Sequence, residues 1–327
     1  MKKAEYYIRE NGEKVKCRLC PHGCIIKTGN RGVCRARVNK DGKLYTENYA
    51  MLSSIGEDPV EKKPLYHFYP GSRILSVGTF GCNFTCDYCQ NWEISQKKPS
   101  LQEISPEELL DIVSSSGSIG IAYTYSEPMI WFEYVRDTAK LARKKGLKNV
   151  LVTNGFINSE PLKELLPLID AANVDLKSID NKFYRELCGG QLEPVQQNIK
   201  TIYNSGIHLE LTTLIITDYN DTVDEMNKLF SRVADLDRDI PLHLSRYFPH
   251  YRLKKPRTSI NKMKEAYRLA KEKLNYVYVG NVMIDGAANT YCPQCGAAVI
   301  KRRYYNINNL LVEGCCPECG QKINGRF

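Results

Sequence analysis

The segment Arg73-Ile74-Leu75-Ser76-Val77-Gly78-Thr79-Phe80-Gly81-Cys82-Asn83-Phe84-Thr85-Cys86-Asp87-Tyr88-Cys89 is a short apolar run followed at once by three cysteines. The run has strand length and strand composition. The cysteines are spaced C-x3-C-x2-C, compact enough to wrap one inorganic cube. Three thiolates can ligate three irons of a [4Fe-4S] cluster and leave the fourth iron open, which distinguishes a catalytic cluster from a plain electron carrier. A structural zinc knuckle is the weaker reading, because three cysteines leave a tetrahedral zinc one ligand short.

Outward from this segment, short apolar runs alternate with helical stretches. The runs are 73–77, 119–123, 149–152, 172–175, 208–212, 241–244 and 276–279. Ser105-Pro106-Glu107-Glu108 is a capping box with proline at the first helical position, and its helix runs to about Ser115 and stops at Gly117. Further helices are expected over Met129–Lys145, Asp221–Leu236 and Ser259–Leu274. Such alternation predicts an α/β fold of six or seven parallel β/α units, a partial or full TIM-like barrel with its chemistry on the loops after the strands. The expected organisation is a cysteine-rich extension over 1–70, a barrel over 71–287, and a metal-binding segment over 288–327.

The C-x3-C-x-aromatic-C pattern after the first strand, with Tyr88 before the third cysteine, resembles the motif of the radical S-adenosylmethionine (SAM) superfamily. The resemblance implies a [4Fe-4S] cluster on Cys82, Cys86 and Cys89 that binds SAM through its amino and carboxylate groups. Reductive cleavage then gives a 5'-deoxyadenosyl radical, which abstracts hydrogen from a substrate. Later strand ends match in series. Thr124-Tyr125-Ser126-Glu127-Pro128 resembles the element that meets the SAM amino group, with Glu127 as acceptor and Ser126 beside it, although Ser-Glu-Pro also suits a helix start. Thr153-Asn154-Gly155 and Asp175-Leu176-Lys177 resemble elements of the pyruvate formate-lyase activating enzymes. There Lys177 would pair with the SAM carboxylate, near Thr153, Asn154 and Asp175. His243 matches a histidine near the SAM in those enzymes. Val152 stands where they tend to carry aspartate. Arg246 is a candidate for meeting an anionic substrate.

The flanks hold most of the remaining cysteines; the chain has 13 in all. Cys292-Pro293-Gln294-Cys295-Gly296 and Cys316-Pro317-Glu318-Cys319-Gly320 form paired C-x2-C knuckles, expected to hold a structural zinc, with a rubredoxin-like iron site as the rival and Cys315 a bystander. Cys17, Cys20, Cys24 and Cys34 suit zinc or an auxiliary [4Fe-4S] cluster, and spacing does not decide between them. His22 could replace one of these cysteines, although Pro21-His22-Gly23 has the setting of a turn. Cys188 stands alone and reads as a small buried hydrophobe. Head, barrel and tail together resemble the radical SAM proteins of the AmmeMemoRadiSam system, relatives of the activating enzymes of glycyl-radical enzymes.

No apolar run is long enough to span a bilayer, and the start lacks the apolar core of a signal peptide, so a cytoplasmic protein with no membrane partner is expected. The net charge of +9 is scattered rather than concentrated. A zinc-ribbon scaffold or nucleic-acid-binding protein predicts basic and aromatic residues beside the knuckles. Lys301-Arg302-Arg303-Tyr304-Tyr305 meets that in part, but it leaves the central cysteines and strand-end motifs without a purpose. The expected partners are a reductant such as flavodoxin or ferredoxin and an unidentified small-molecule, peptide or protein substrate. An activase acting on a partner protein is the alternative within the same chemistry.

Overall fold

The computed structural model describes residues 1–327. Its centre is one eight-stranded sheet. The strands are β1 (Ser54–Pro59), β2 (Arg73–Gly78), β3 (Gly120–Tyr123), β4 (Lys148–Thr153), β5 (Ala171–Asp175), β6 (His208–Ile215), β7 (Leu242–Arg246) and β8 (Val277–Gly280). They lie side by side in chain order, all parallel from β2 to β8, with β1 antiparallel on the β2 edge. No ladder joins β1 to β8, so the barrel is partial. All seven expected strands are present. Their near-continuous burial is what parallel strands covered on both faces require. The expected boundary at 70 falls too late for the sheet, because β1 pairs with β2 from Ser54 onward. No helix is long and apolar enough to cross a membrane.

The α-helices of seven residues or more are α1 (Pro106–Ser116), α2 (Phe132–Lys144), α3 (Ser159–Leu165), α4 (Leu192–Asn204), α5 (Val223–Leu236) and α6 (Ile260–Lys271). Both halves of the Ser105–Glu108 capping box form, and Gly117 closes α1 with a left-handed φ of 70°. The helix expected from Met129 begins instead as a 3-10 turn over Pro128–Trp131. Short α3 and the whole of α4 have no capping box or proline start to announce them.

The head docks on α2 through a fully buried ion pair. Arg37 Nη2 donates to both carboxylate oxygens of Glu133 at 2.6 and 2.7 Å, and Glu133 also accepts from Glu5 N at 2.8 Å. Removing one partner would leave an uncompensated buried charge, a loss of about 3–5 kcal/mol.

The other end of the barrel is plugged by the tail, a ribbon of β9 (Thr290–Tyr291), β10 (Ala298–Arg303) and β11 (Asn306–Asn309). A directed chain of hydrogen bonds joins tail to barrel. Arg302 Nη1 donates to Thr290 Oγ1 at 2.8 Å, and Thr290 Oγ1 lies 2.8 Å from Tyr278 Oη. Tyr278 Oη is 2.5 Å from His67 Nε2, and His67 Nδ1 donates to Asn324 O at 2.5 Å. Beside it, the Glu210 carboxylate accepts from the backbone N–H groups of Tyr66 and His67 at 3.0 and 2.7 Å and from the rings of His208 and His243 at 2.9 and 2.6 Å. Burial pushes the Glu210 pKa up, but hydrogen bonds from His208 and His243 outweigh it and hold the group well below the carboxylate range.

Burial lowers the His67 pKa to about 3 against the opposing charge of Glu210, so the ring is neutral and its Nε2 accepts. An unfolded imidazole takes a proton below pH ~6.5 that folded His67 refuses until about 3, so stability falls as pH drops through that window. Unfolding by urea between pH 6.5 and 4.5 should show His67→Gln less pH-sensitive than the parent, by up to about 1.4 kcal/mol per pH unit for the one proton. Equal slopes would mean that His67 titrates freely in the fold.

Candidate active site and metal centres

The loops after the parallel strands enclose a cavity of about 370 Å³. It is lined by Cys82, Cys86, Tyr88 and Cys89 from the loop after β2, Ser126 and Glu127 after β3, Thr153 and Asn154 at the end of β4, and Asp175 and Lys177 at the end of β5. Ten residues expected from separate strand ends thus share one chamber.

The cysteine loop is held from three sides. Asn83 Nδ2 donates to Phe156 O at 2.6 Å, and Asn154 Nδ2 donates to Asn83 Oδ1 at 2.9 Å. Asn154, expected at the cofactor, therefore spends its amide on the cysteine loop and keeps only its place in the cavity wall. From below, Thr85 N donates to Cys188 O at 2.8 Å and Asp87 N to Leu187 O at 2.9 Å. Gly190 lets this turn pack on the loop, since a Cβ there would meet Phe84 Cε1 at 2.1 Å. From the head, His22 Nε2 donates to Asn83 O at 2.7 Å.

Glu127 is 2 % exposed, and its carboxylate accepts from Met129 N at 2.9 Å, Thr153 Oγ1 at 2.6 Å and Asn154 N at 2.8 Å. Helix-start and cavity-wall positions are thus combined in one residue. Burial raises its pKa to about 7, against the lowering effect of those three donors. Ser126 Oγ is buried in the same wall with no protein partner. Lys177 Nζ sits 2.8 Å from Asp175. Burial disfavours its charge, but Asp175, Cys86 and Cys188 raise its pKa well above the lysine value.

Two expected residues lie elsewhere. His243 stands two positions before Ser245 on β7, and Ser245 lines the cavity. Two strand residues span about 7 Å, which puts His243 one layer deeper, on Glu210 and edge-on to Tyr66. Arg246 turns away, donating from Nε to Thr258 O at 2.6 Å and stacking on Phe248. Cys188, expected to be a small buried hydrophobe, is buried, and it also sits with its Sγ 3.2 Å from Tyr88 Oη and beside Cys86. Its only sequence signal is the Gly189-Gly190 turn that follows.

The tail cysteines form a different kind of site. Cys292 and Cys319 sulfurs are 3.5 Å apart, Cys295 and Cys316 sulfurs are 3.7 Å apart, and all four fall within 4.8 Å of one another. Tetrahedral thiolates bonded at about 2.3 Å to one ion stand about 3.8 Å apart, so the quartet fits a single metal ion. Cys315 lies outside it.

With this geometry in view, the chain can be set beside known proteins. Residues 76–233 match the family model of the radical SAM superfamily. An uncharacterized protein of Methanocaldococcus jannaschii, MJ0808, is 44% identical over 99% of both chains. The chain belongs to the radical SAM superfamily. The pyruvate formate-lyase 1-activating enzyme of Escherichia coli K12 is 26% identical over 51% of this chain and 70% of its own. Among solved structures, Streptococcus suis SuiB bound to S-adenosylmethionine superposes with a TM-score of 0.52 at 13% identity, covering 68% of this chain and 53% of SuiB, a likeness of fold. The matched stretch includes the loop that carries Cys82, Cys86 and Cys89.

Cys316→Ser in the full chain should lose about one equivalent of metal, as expected when a four-thiolate site is opened. Its melting temperature should fall, because the ribbon carries Arg302 and Thr290 into the barrel network, while the visible iron–sulfur absorption stays. Full metal retention by elemental analysis would refute the single-ion site.

Proposed function

We propose that this enzyme reductively cleaves SAM at a [4Fe-4S] cluster on Cys82, Cys86 and Cys89 and uses the product radical to abstract hydrogen from a substrate. The observation that carries the reading is the shared cavity, which gathers the three thiols with Ser126, Glu127, Thr153, Asp175 and Lys177. When bound, the cluster supplies the electron that splits the SAM sulfonium into methionine and a 5'-deoxyadenosyl radical. The chain's own residues bind and orient. Glu127, ionised, accepts from the SAM ammonium with the lone pairs its three present donors leave free. Lys177 exchanges part of its pairing with Asp175 for the SAM carboxylate. The free hydroxyl of Ser126 offers a further polar contact. Tyr88 and Cys188, in contact with each other, stand behind the loop at Cys86.

The tail quartet is read as a structural zinc site, since it is closed, with four thiolates and no open position. Electrons come from a flavodoxin or ferredoxin. The substrate is an unidentified small molecule, peptide or protein. A second reading, glycyl-radical formation on a partner protein, draws support from the similarity to the E. coli activating enzyme over half the chain.

Cys86→Ala should abolish 5'-deoxyadenosine formation in anaerobic assays with dithionite and SAM; continued turnover in that variant would sink the assignment. Glu127→Ala should keep its iron but weaken SAM binding by about tenfold to a hundredfold, the ~1.5–3 kcal/mol of one hydrogen bond to a charged group. Isothermal titration with SAM decides this, and unchanged affinity would leave Glu127 a helix-start residue.

A further inference from the structure

We infer that the loop between β7 and α6 is the docking surface for an acidic one-electron carrier protein, which delivers its electron through the cysteine loop behind it. The inference rests on the cluster proposed at Cys82, Cys86 and Cys89. The stretch from Tyr247 to Ser259 holds four cations, Arg252, Lys254, Lys255 and Arg257, and no acidic residue. Its base is closed, since Thr258 N donates to Tyr247 O at 3.2 Å. At its tip the backbone N–H groups of Arg252 and Leu253 both donate to Asp87 O at 2.9 Å. Asp87 stands between Cys86 and Cys89. The basic loop is therefore bonded to the backbone of the cysteine loop itself.

The tip is a built feature. His250 and Leu253 bridge across a tight turn, and Tyr251 inside it takes a left-handed φ of 54°. That conformation is strained for a tyrosine and persists only where neighbours enforce it. The neighbour is Trp92, on which the Tyr251 ring stacks with centroids 4.9 Å apart and planes 13° from parallel. The Arg252 guanidinium carbon lies 4.9 Å from the Tyr251 centroid, and Lys97 Nζ lies 4.3 Å from the Trp92 centroid. The stacked rings thus hold two exposed cations in fixed places beside the cysteine loop.

Charge, position and ring contacts choose the occupant. Asp87 and Asp218 pair with Arg252 and Lys255 at 3.7 and 3.1 Å, which leaves Lys97, Lys254 and Arg257 exposed without an acidic partner and Glu93 as the free acid beside Trp92. An excess of free cations on a rim fits a partner face rich in carboxylates. No residue from Tyr247 to Ser259 lines the chamber, so a molecule seated on them stays outside it. A substrate must give up its hydrogen within the chamber, whereas an electron needs only close approach to the cluster's ligands. Single-stranded nucleic acid calls for open aromatic faces, and half-buried Trp92 and Tyr251 spend theirs on each other and on cations. In the transfer the carrier is oxidised by one electron and the cluster is reduced from [4Fe-4S]²⁺ to [4Fe-4S]⁺, with no atom exchanged.

The full-length, cluster-loaded enzyme tests this with two reductants, flavodoxin kept reduced by its reductase, and dithionite, which needs no docking surface. Flavodoxin affinity is measured by titration calorimetry at low and high salt. The double variant Lys254→Glu, Arg257→Glu should bind flavodoxin about tenfold more weakly at low salt, with a flatter salt dependence. Its flavodoxin-supported 5'-deoxyadenosine formation should fall in step, and its dithionite-supported formation should stay at the wild-type rate. Glu93→Lys should tighten flavodoxin binding, a gain that misfolding cannot mimic and that decides the matter should the double variant fail to fold. Affinities indifferent to both charge changes would overturn the inference. So would loss of the dithionite-supported rate in the folded double variant, which would make the loop a support of the chamber, or wild-type binding of a single-stranded RNA oligonucleotide in place of flavodoxin. Charge-dependent flavodoxin binding by a wild type that forms no 5'-deoxyadenosine with dithionite would support the docking surface while removing the chemistry proposed for the cluster.

Discussion

A carboxylate with no access to water must find all its hydrogen bonds inside the protein, and Glu210 finds four. Two come from histidines on β6 and β7, and two from the backbone of the segment between β1 and β2. The charge thus fixes the distance between opposite parts of an open barrel. Through His67 and Tyr278 the same cluster reaches Thr290, Arg302 and Asn324 in the tail. A barrel that no ladder closes is closed at its base by polar groups that have nowhere else to bond. Replacing any of them by an apolar residue would orphan a buried donor or acceptor.

The opposite end is organised by economy of a different sort. Thr153-Asn154 and Glu127 satisfy one another, and Asn154 reaches back to Asn83 in the cysteine loop. A cavity wall already tied together changes little when a ligand arrives, so its binding groups stay aimed. In that wall the hydroxyl of Ser126 has no protein partner, and the charge of Lys177 is shared with a half-exposed Asp175.

The barrel was legible because its strands carry apolar runs at regular intervals and because Ser105, Pro106 and Gly117 mark a helix at both ends. Helix α4 was not, since Gln191 and Leu192 provide neither a side-chain cap nor a break in composition. Among site residues, those at strand ends were legible by position in the series. His243 misled because sequence gives the strand but not the depth along it, and two residues decide between cavity and base. Cys188 was invisible because its partners, Tyr88 and Cys86, lie a hundred positions away.

The tail plug has a bearing on how the chain is made. The residues that complete the base, Thr290, Arg302 and Asn324, leave the ribosome after every strand they seal. Until they arrive, Tyr278 and His67 lack their outer partners, while Glu210 can already gather its four donors. The nascent barrel therefore has its inner lock before its outer one, and the outer one sits in the ribbon whose Cys292, Cys295, Cys316 and Cys319 sulfurs lie within 4.8 Å of one another. An ion bound there would tie the last step of maturation to metal supply, after the strands around the cavity are already made.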